Sequence, residues 1–169
     1  PRWLDDPAAL RGVKLGDGSM DLSDITAAAA RIKGHVRRTP IVRADLAREA
    51  VGVDELWLKL ECLQVTGSFK ARGATNRLLT LAPERLQRGI VAASGGNHGL
   101  ATARAGQMAG VPTTIYLPTN ASAAKIEKLK AWGARVVVAG QVWDEAHAAA
   151  TAEAERTGAF YFHPFADAE

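Results

Sequence analysis

The sequence predicts an α/β fold, with parallel sheets flanked by helices. Three observations carry that expectation. From Gly89 onward, short apolar strands alternate with helices across short loops. Several of those helices are followed at once by a glycine, at 110, 133 and 158. One apolar strand, Ile90–Ala93, runs directly into the glycine-rich turn Ser94-Gly95-Gly96-Asn97-His98-Gly99 and then a helix. The 169 residues are 47% apolar and 23% charged, enough to form a core and too apolar for a chain whose main state is disorder.

Taken in order, Pro1–Ser19 is irregular and has no apolar stretch of signal-peptide type, so it is read as a leader or linker. Ser23 is placed as the cap of a helix whose apolar residues are Ile25, Ala28, Ala29, Ile32 and Val36. Gly34 weakens its far end and Thr39-Pro40 stops it. Ile41–Arg43 is a candidate strand, and Asp45–Val51 a short helix closed by Gly52. Leu56–Glu61 alternates as a strand does, and Ser68 opens a helix to about Leu81. Beyond Ile90–Ala93, the pattern gives a helix ending near Gly110, a strand over Thr113–Leu117 and a helix over Ser122–Trp132. It continues with a strand over Arg135–Ala139, a helix over Trp143–Thr157 and a strand over Phe160–Phe162.

These elements divide the chain into 1–19, a first part of a larger domain at 20–88, a complete small α/β domain at 89–163, and a connection at 164–169. Residues 20–88 supply too few strands for an independent sheet. The chain is therefore expected to be a fragment whose missing C-terminal part completes the first domain. Such a fragment exposes an unpaired sheet edge and apolar surface.

Composition excludes several function classes. Lysine plus arginine is 21 against 18 acids, a net charge of +3 that is too small to argue for nucleic acid. No stretch reaches the roughly 18 to 20 apolar residues of a membrane span. A lone cysteine, Cys62, excludes an intrachain disulfide and a cysteine-based zinc site, and suits a cytoplasmic location. His35, His147 and His163 lack partners at metal-ligand spacing, so no metal is expected.

Two segments can carry chemistry. In Lys59–Ala74 a strand passes through a polar turn into a helix, with Lys70 in the helix's first turn. The helix dipole disfavours a cation there and partial burial adds to this, which favours a free amine able to form a Schiff base. The plainer reading is a surface lysine. In Ser94–Gly99 the glycines let backbone approach a ligand, and the following helix start offers N–H groups to an anion. The plainer reading is a tight turn with Asn97 as the helix cap. The glycines match neither G-x-G-x-x-G nor a phosphate-loop pattern, which disfavours a nicotinamide-binding domain. Ser94 lacks a nucleophile-elbow context, which disfavours a hydrolase.

Together the two segments resemble a known family. Gly67-Ser68-Phe69-Lys70-Ala71-Arg72-Gly73-Ala74, followed by Ser94-Gly95-Gly96-Asn97-His98-Gly99, is similar to fold-type II pyridoxal-phosphate enzymes. The match is to the serine/threonine dehydratase and serine racemase branch. Arg38-Thr39-Pro40, Leu58-Lys59-Leu60-Glu61 and Lys125–Gly133 fit the same pattern, and the resemblance runs from about Leu22 to Glu169. It implies that Lys70 holds pyridoxal 5'-phosphate and is the catalytic base, that Phe69 packs on the cofactor ring, and that Asn97 bonds its phenolic oxygen. It implies that Ser94, Gly95, Gly96, Asn97 and His98 form the loop that cradles the substrate carboxylate. The expected reaction is β-elimination of L-serine or L-threonine to a 2-oxo acid and ammonia. Racemases of the group carry a serine where this chain has Gly95, which favours the dehydratase over the racemase. A non-catalytic amino-acid-binding module is the alternative from another class. The resemblance places the phosphate-binding glycine loop beyond Glu169, so the fragment alone is expected to be inactive and the full protein to be a homo-oligomer.

Overall fold

The structure, a computed structural model, describes residues 21–44 and 55–164. The irregular leader and the short helix expected at Asp45–Val51 lie outside the described residues. The chain forms two compact units, residues 1–33 and 34–169.

In the first unit, α1 (Leu22–Arg31) begins with a capping box. The Asp21 carboxylate accepts from the N–H groups of Ser23 (2.7 Å) and Asp24 (3.1 Å), and Asp24 returns the bond to the Asp21 N–H at 2.9 Å. This corrects the sequence expectation. Ser23 is not the cap; its hydroxyl itself donates to Asp21. A carboxylate at this position satisfies two helix-start donors where a serine hydroxyl satisfies one. The helix also stops before the expected Val36, because Gly34 adopts a left-handed φ of 85°.

The second unit opens with β1 (Ile41–Arg43) and β2 (Trp57–Lys59), which pair antiparallel with Val42 opposite Leu58. Both of those side chains are exposed. The strand expected to reach Glu61 ends at Lys59, because Glu61–Leu63 winds into a 3-10 turn. After α2 (Lys70–Thr80) and the short α3 (Pro83–Leu86) comes the main sheet. Its strands are β3 (Ile90–Ala93), β4 (Thr113–Leu117), β5 (Arg135–Val138) and β6 (Phe160–Tyr161), in the order β5-β4-β3-β6, all parallel. The crossovers contain α4 (Asn97–Ala109), α5 (Ala123–Ala131) and α6 (Trp143–Thr157).

Both faces of the sheet are covered, as a parallel sheet requires. Ile90, Ala92, Ile115 and Leu117 face a core shared with Ala74 and Leu78 of α2, Ala101 and Ala105 of α4, and Leu129 of α5. Val91, Ala93 and Tyr116 face Ala146, Ala150 and Ala154 of α6. The helix that carries Lys70 thus packs into the core of the main sheet. Arg104 of α4 adds a polar tie, donating to Thr75 of α2 at 3.2 Å.

A second tie joins α2 to the β2 end. Arg72 grips Glu61 with two bonds, Nε to Oε2 at 2.9 Å and a terminal nitrogen to Oε1 at 2.7 Å. Thr39 Oγ1 donates to the same carboxylate at 2.5 Å, and Lys59 Nζ donates to the Thr39 carbonyl at 2.5 Å. The Arg72 bond holds the Glu61 carboxyl below its ordinary range against the opposing effect of burial; Thr39 and the charges of Arg72 and Lys59 reinforce it.

A Cβ at Gly106 would lie 1.8 Å from Thr113 Oγ1, whereas one at Gly73 meets nothing within 4 Å. Gly106→Ala is therefore expected to destabilise by about 1–3 kcal/mol, and Gly73→Ala to stabilise by about 0.5–1 kcal/mol, both read from urea unfolding. Glu61→Gln is expected to cost about 1–2 kcal/mol at neutral pH. Because the folded pKa is lowered, the native contribution is complete above the unfolded carboxyl range and disappears as pH falls through the folded value. The unfolding midpoints of wild type and Glu61→Gln should therefore converge in acid; a gap that persists there contradicts the assignment.

Candidate active site

The main sheet places its chemistry at the carboxyl ends of β3 and β6. The chain runs from β3 outward to β4 and β5, then returns to the other side of β3 as β6. Such a reversal leaves a crevice at the strand ends, where α/β sheets bind ligands.

The Ser94–Gly99 turn rises from β3 at this point. Gly99 is essential to its shape, because a Cβ there would lie 1.9 Å from the Ser94 carbonyl oxygen. Leu100 is the first residue of α4 whose N–H reaches a carbonyl of its own helix, Gly96 O at 3.2 Å. The N–H groups of residues 97–99 therefore point out of the helix end. Gly96 is the N-cap residue and no side chain caps the helix. Asn97 is thus not the cap that the plainer sequence reading allowed; it is the first helical residue and is exposed. Ser94 Oγ instead accepts from the Gly96 N–H at 3.3 Å.

Lys70 is the first residue of α2, reached through a turn at Gly67, where φ is 76°. The turn is anchored by Gln64, whose buried side chain accepts from the Arg37 N–H (2.8 Å) and donates to the Arg37 carbonyl (2.9 Å). Lys70 Nζ is half-buried and donates to the Pro164 carbonyl at 2.7 Å. Phe69 leaves its ring 58% exposed, 5.7 Å from Lys70 Nζ.

His98 completes the geometry. Its Nε2 lies 3.1 Å from the Phe162 carbonyl. Lys70 and His98 therefore address carbonyls two residues apart on the strand-end segment Phe162–Pro164. At about 3.3 Å per residue, those carbonyls lie within roughly 7 Å of each other. The amine and the Gly-rich turn, distant in sequence, meet on one short strap of backbone. Gly95 belongs to the same turn, and a Cβ there would come 3.1 Å from Leu117 Cδ2.

The strap carbonyls of Phe162 and Pro164 were not found by sequence reasoning, because any residue supplies a carbonyl. The Glu61–Arg72 clamp had a weak signal: Glu61 and Arg72 both lie in motifs that carried the resemblance. Among the described residues, the donor set fits an aldehyde cofactor with an anionic substrate. It offers the Lys70 amine, the exposed Phe69 ring and an uncapped helix start.

Known proteins are similar to this chain in sequence and in fold. An L-threonine ammonia-lyase of Thermotoga maritima is 44% identical over 146 residues, covering 86% of this chain and 36% of that protein. The structure of maize serine racemase superposes with a TM-score of 0.80 at 35% identity, covering 87% of this chain and 44% of the other. Threonine deaminase isoform 2 of Solanum lycopersicum superposes with a TM-score of 0.75 at 32% identity, covering 88% and 44%. The chain thus spans less than half the length of these relatives. A model of the family described as pyridoxal-phosphate dependent enzymes matches residues 32–169, the stretch that holds the sheet, Lys70 and the Gly-rich turn, and the chain belongs to that family.

Proposed function

We propose that this chain supplies the amine and the carboxylate cradle of an enzyme that eliminates the β-hydroxyl of L-threonine or L-serine. The products are a 2-oxo acid and ammonia. The observation that carries the reading is the convergence of Lys70 and His98 on the Phe162–Pro164 strap. The similarity to a threonine ammonia-lyase supports it.

Bound pyridoxal phosphate supplies an aldehyde that condenses with amines and a ring that takes up the electron pair left at Cα. Lys70 at the start of α2, Asn97 and the exposed Phe69 ring are the residues of this chain that would hold it. The N–H groups at the start of α4, with Ser94, Gly95, Gly96 and His98 around them, bind the substrate carboxylate. That anchor turns the Cα–H bond toward Lys70. The freed Lys70 amine takes the α-proton at Nζ, acting as general base. The β-hydroxyl then departs as water with the proton that Nζ took from Cα, and the released enamine tautomerises and hydrolyses with one water to the 2-oxo acid and ammonia. The Pro164 carbonyl, which accepts from Nζ, offers a protonated Lys70 a resting partner.

The second reading is amino acid racemisation, favoured by the structural similarity to maize serine racemase. Gly95 weighs against it, because glycine has no side chain to return a proton from the face opposite Lys70. A non-catalytic amino-acid sensor is separated by covalent chemistry. Treatment with pyridoxal phosphate and then borohydride should place the cofactor's mass on the Gly67–Arg72 peptide; no labelling at saturating cofactor favours the sensor.

In the full-length protein, Lys70→Ala is expected to remove turnover and labelling together while the fold persists, and retained turnover overturns the assignment. Gly95→Ser should raise D-amino-acid formation by chiral product analysis, because the backbone accepts a side chain there once the Leu117 tip yields. A product ratio identical to wild type leaves the opposite-face argument without support.

A further inference from the structure

On the α6 face of the main sheet lies a cluster that the proposed reaction does not use. Trp143, the first residue of α6, donates its indole N–H to the carbonyl of Ala93 at 2.9 Å. Ala93 is the last residue of β3, directly before the Gly-rich turn. One helical turn on, His147 stacks on that indole with ring centres 4.9 Å apart and planes 3° from parallel. His147 Nδ1 lies 2.6 Å from the hydroxyl of Tyr161 on β6.

We propose that Trp143, His147 and Tyr161 form a relay from the end of β3 to β6 that positions the Phe162–Pro164 strap, and through it Lys70 and His98. The proposal rests on the reading that Lys70 and the Gly-rich turn carry the chemistry. Two hydrogen bonds and one ring stack carry the relay: Trp143 to the Ala93 carbonyl, Trp143 on His147, and His147 to Tyr161. In the last bond the Tyr161 hydroxyl donates or accepts according to the imidazole tautomer. Burial pushes the Tyr161 phenol upward, against a smaller opposite pull from the Ala93 backbone, so the hydroxyl keeps its proton.

The relay reaches the strap through His163. That ring sits edge-on to His147 (6.3 Å, 84°) and tilted against Tyr161 (6.2 Å, 61°). His163 is the residue between Phe162, whose carbonyl meets His98, and Pro164, whose carbonyl meets Lys70. The ring wall on one side of the strap therefore sets where its carbonyls stand on the other. His147 and Tyr161 are positioning residues; neither touches the reacting atoms.

Tyr161→Phe keeps the ring and deletes only the hydroxyl. His147→Ala removes the hydroxyl's partner, and His147→Asn returns an amide, with a donor and an acceptor, near the Nδ1 position. In the full-length protein reconstituted with pyridoxal phosphate, Tyr161→Phe and His147→Ala are expected to lower kcat about tenfold per folded molecule, the scale of a small misplacement of reacting groups. His147→Asn should recover most of that loss. Nitrogen-15 NMR of histidine-labelled protein should show a His147 Nδ1 signal that shifts in Tyr161→Phe, a readout independent of turnover. Wild-type kcat in Tyr161→Phe, a loss that only tracks the folded fraction, or a His147 signal indifferent to the substitution overturns the relay. Failure of borohydride to label Lys70 in the wild type sinks the reaction assignment instead, so the two failures are told apart.

Discussion

Two backbone hydrogen bonds fix the strap on which Lys70 and His98 converge. Phe160 N–H meets Gly89 O at 2.9 Å, and Phe162 N–H meets Val91 O at 2.8 Å. They set β6 beside β3 in parallel register, with Ile90 opposite Phe160 and Val91 opposite Tyr161. A shift of one residue would turn Tyr161 away from α6 and expose Phe162, which is 2% accessible. It would also move the carbonyls that now receive Lys70 and His98. The register that fills the core is thus the register that assembles the site.

That coupling explains the order of the layers. α2 carries Lys70 and packs with α4 on one face of the sheet, where Ala74 and Leu78 join Ala101 and Ala105 in a single core. The Glu61–Arg72 clamp ties the same helix to the end of β2. Lys70 is therefore held by apolar packing behind it and by a charge-assisted pair on its flank. A surface ion pair alone would fix it poorly. Here the carboxylate is shared with Thr39, and the guanidinium also reaches the Arg37 carbonyl at 3.2 Å, so the clamp is a network.

Much of this was legible in the residues. β3, β4 and α6 fall on their expected bounds, because strand runs are apolar and Gly110 and Gly158 close their helices in the left-handed conformation with φ of 66° and 74°. Lys70 and the Ser94–Gly99 turn stood out because an amine at a helix start and clustered glycines have residue-type signatures. The start of α1 was misread because Asp21, Ser23 and Asp24 are all competent caps, and only geometry chooses among them. The strand order and the strap could not be read. Sheet order is a long-range choice, and the Phe162 and Pro164 carbonyls belong to the backbone. His147 looked inert as a metal ligand; its partners, Trp143 and Tyr161, are a helical turn away and on another element.

The small side chains of the sheet and of α6 complete the argument. Ala146, Ala150 and Ala154 lie one turn apart along the buried stripe of α6, and they meet Val91 and Ala93 of β3. Alanine on a helix face lets its backbone approach a sheet more closely than leucine or phenylalanine would. That closeness brings the N-terminus of α6 within reach of the end of β3, so that the Trp143 indole can bond a main-chain carbonyl there. A larger residue at 146 would lift the helix at the end where the indole must reach, by overpacking a site with no accessible surface. The alanine content of this helix is therefore a positional requirement of the site as much as a helix-forming preference, since it sets the distance across which the His147 side of the sheet is coupled to the Lys70 side.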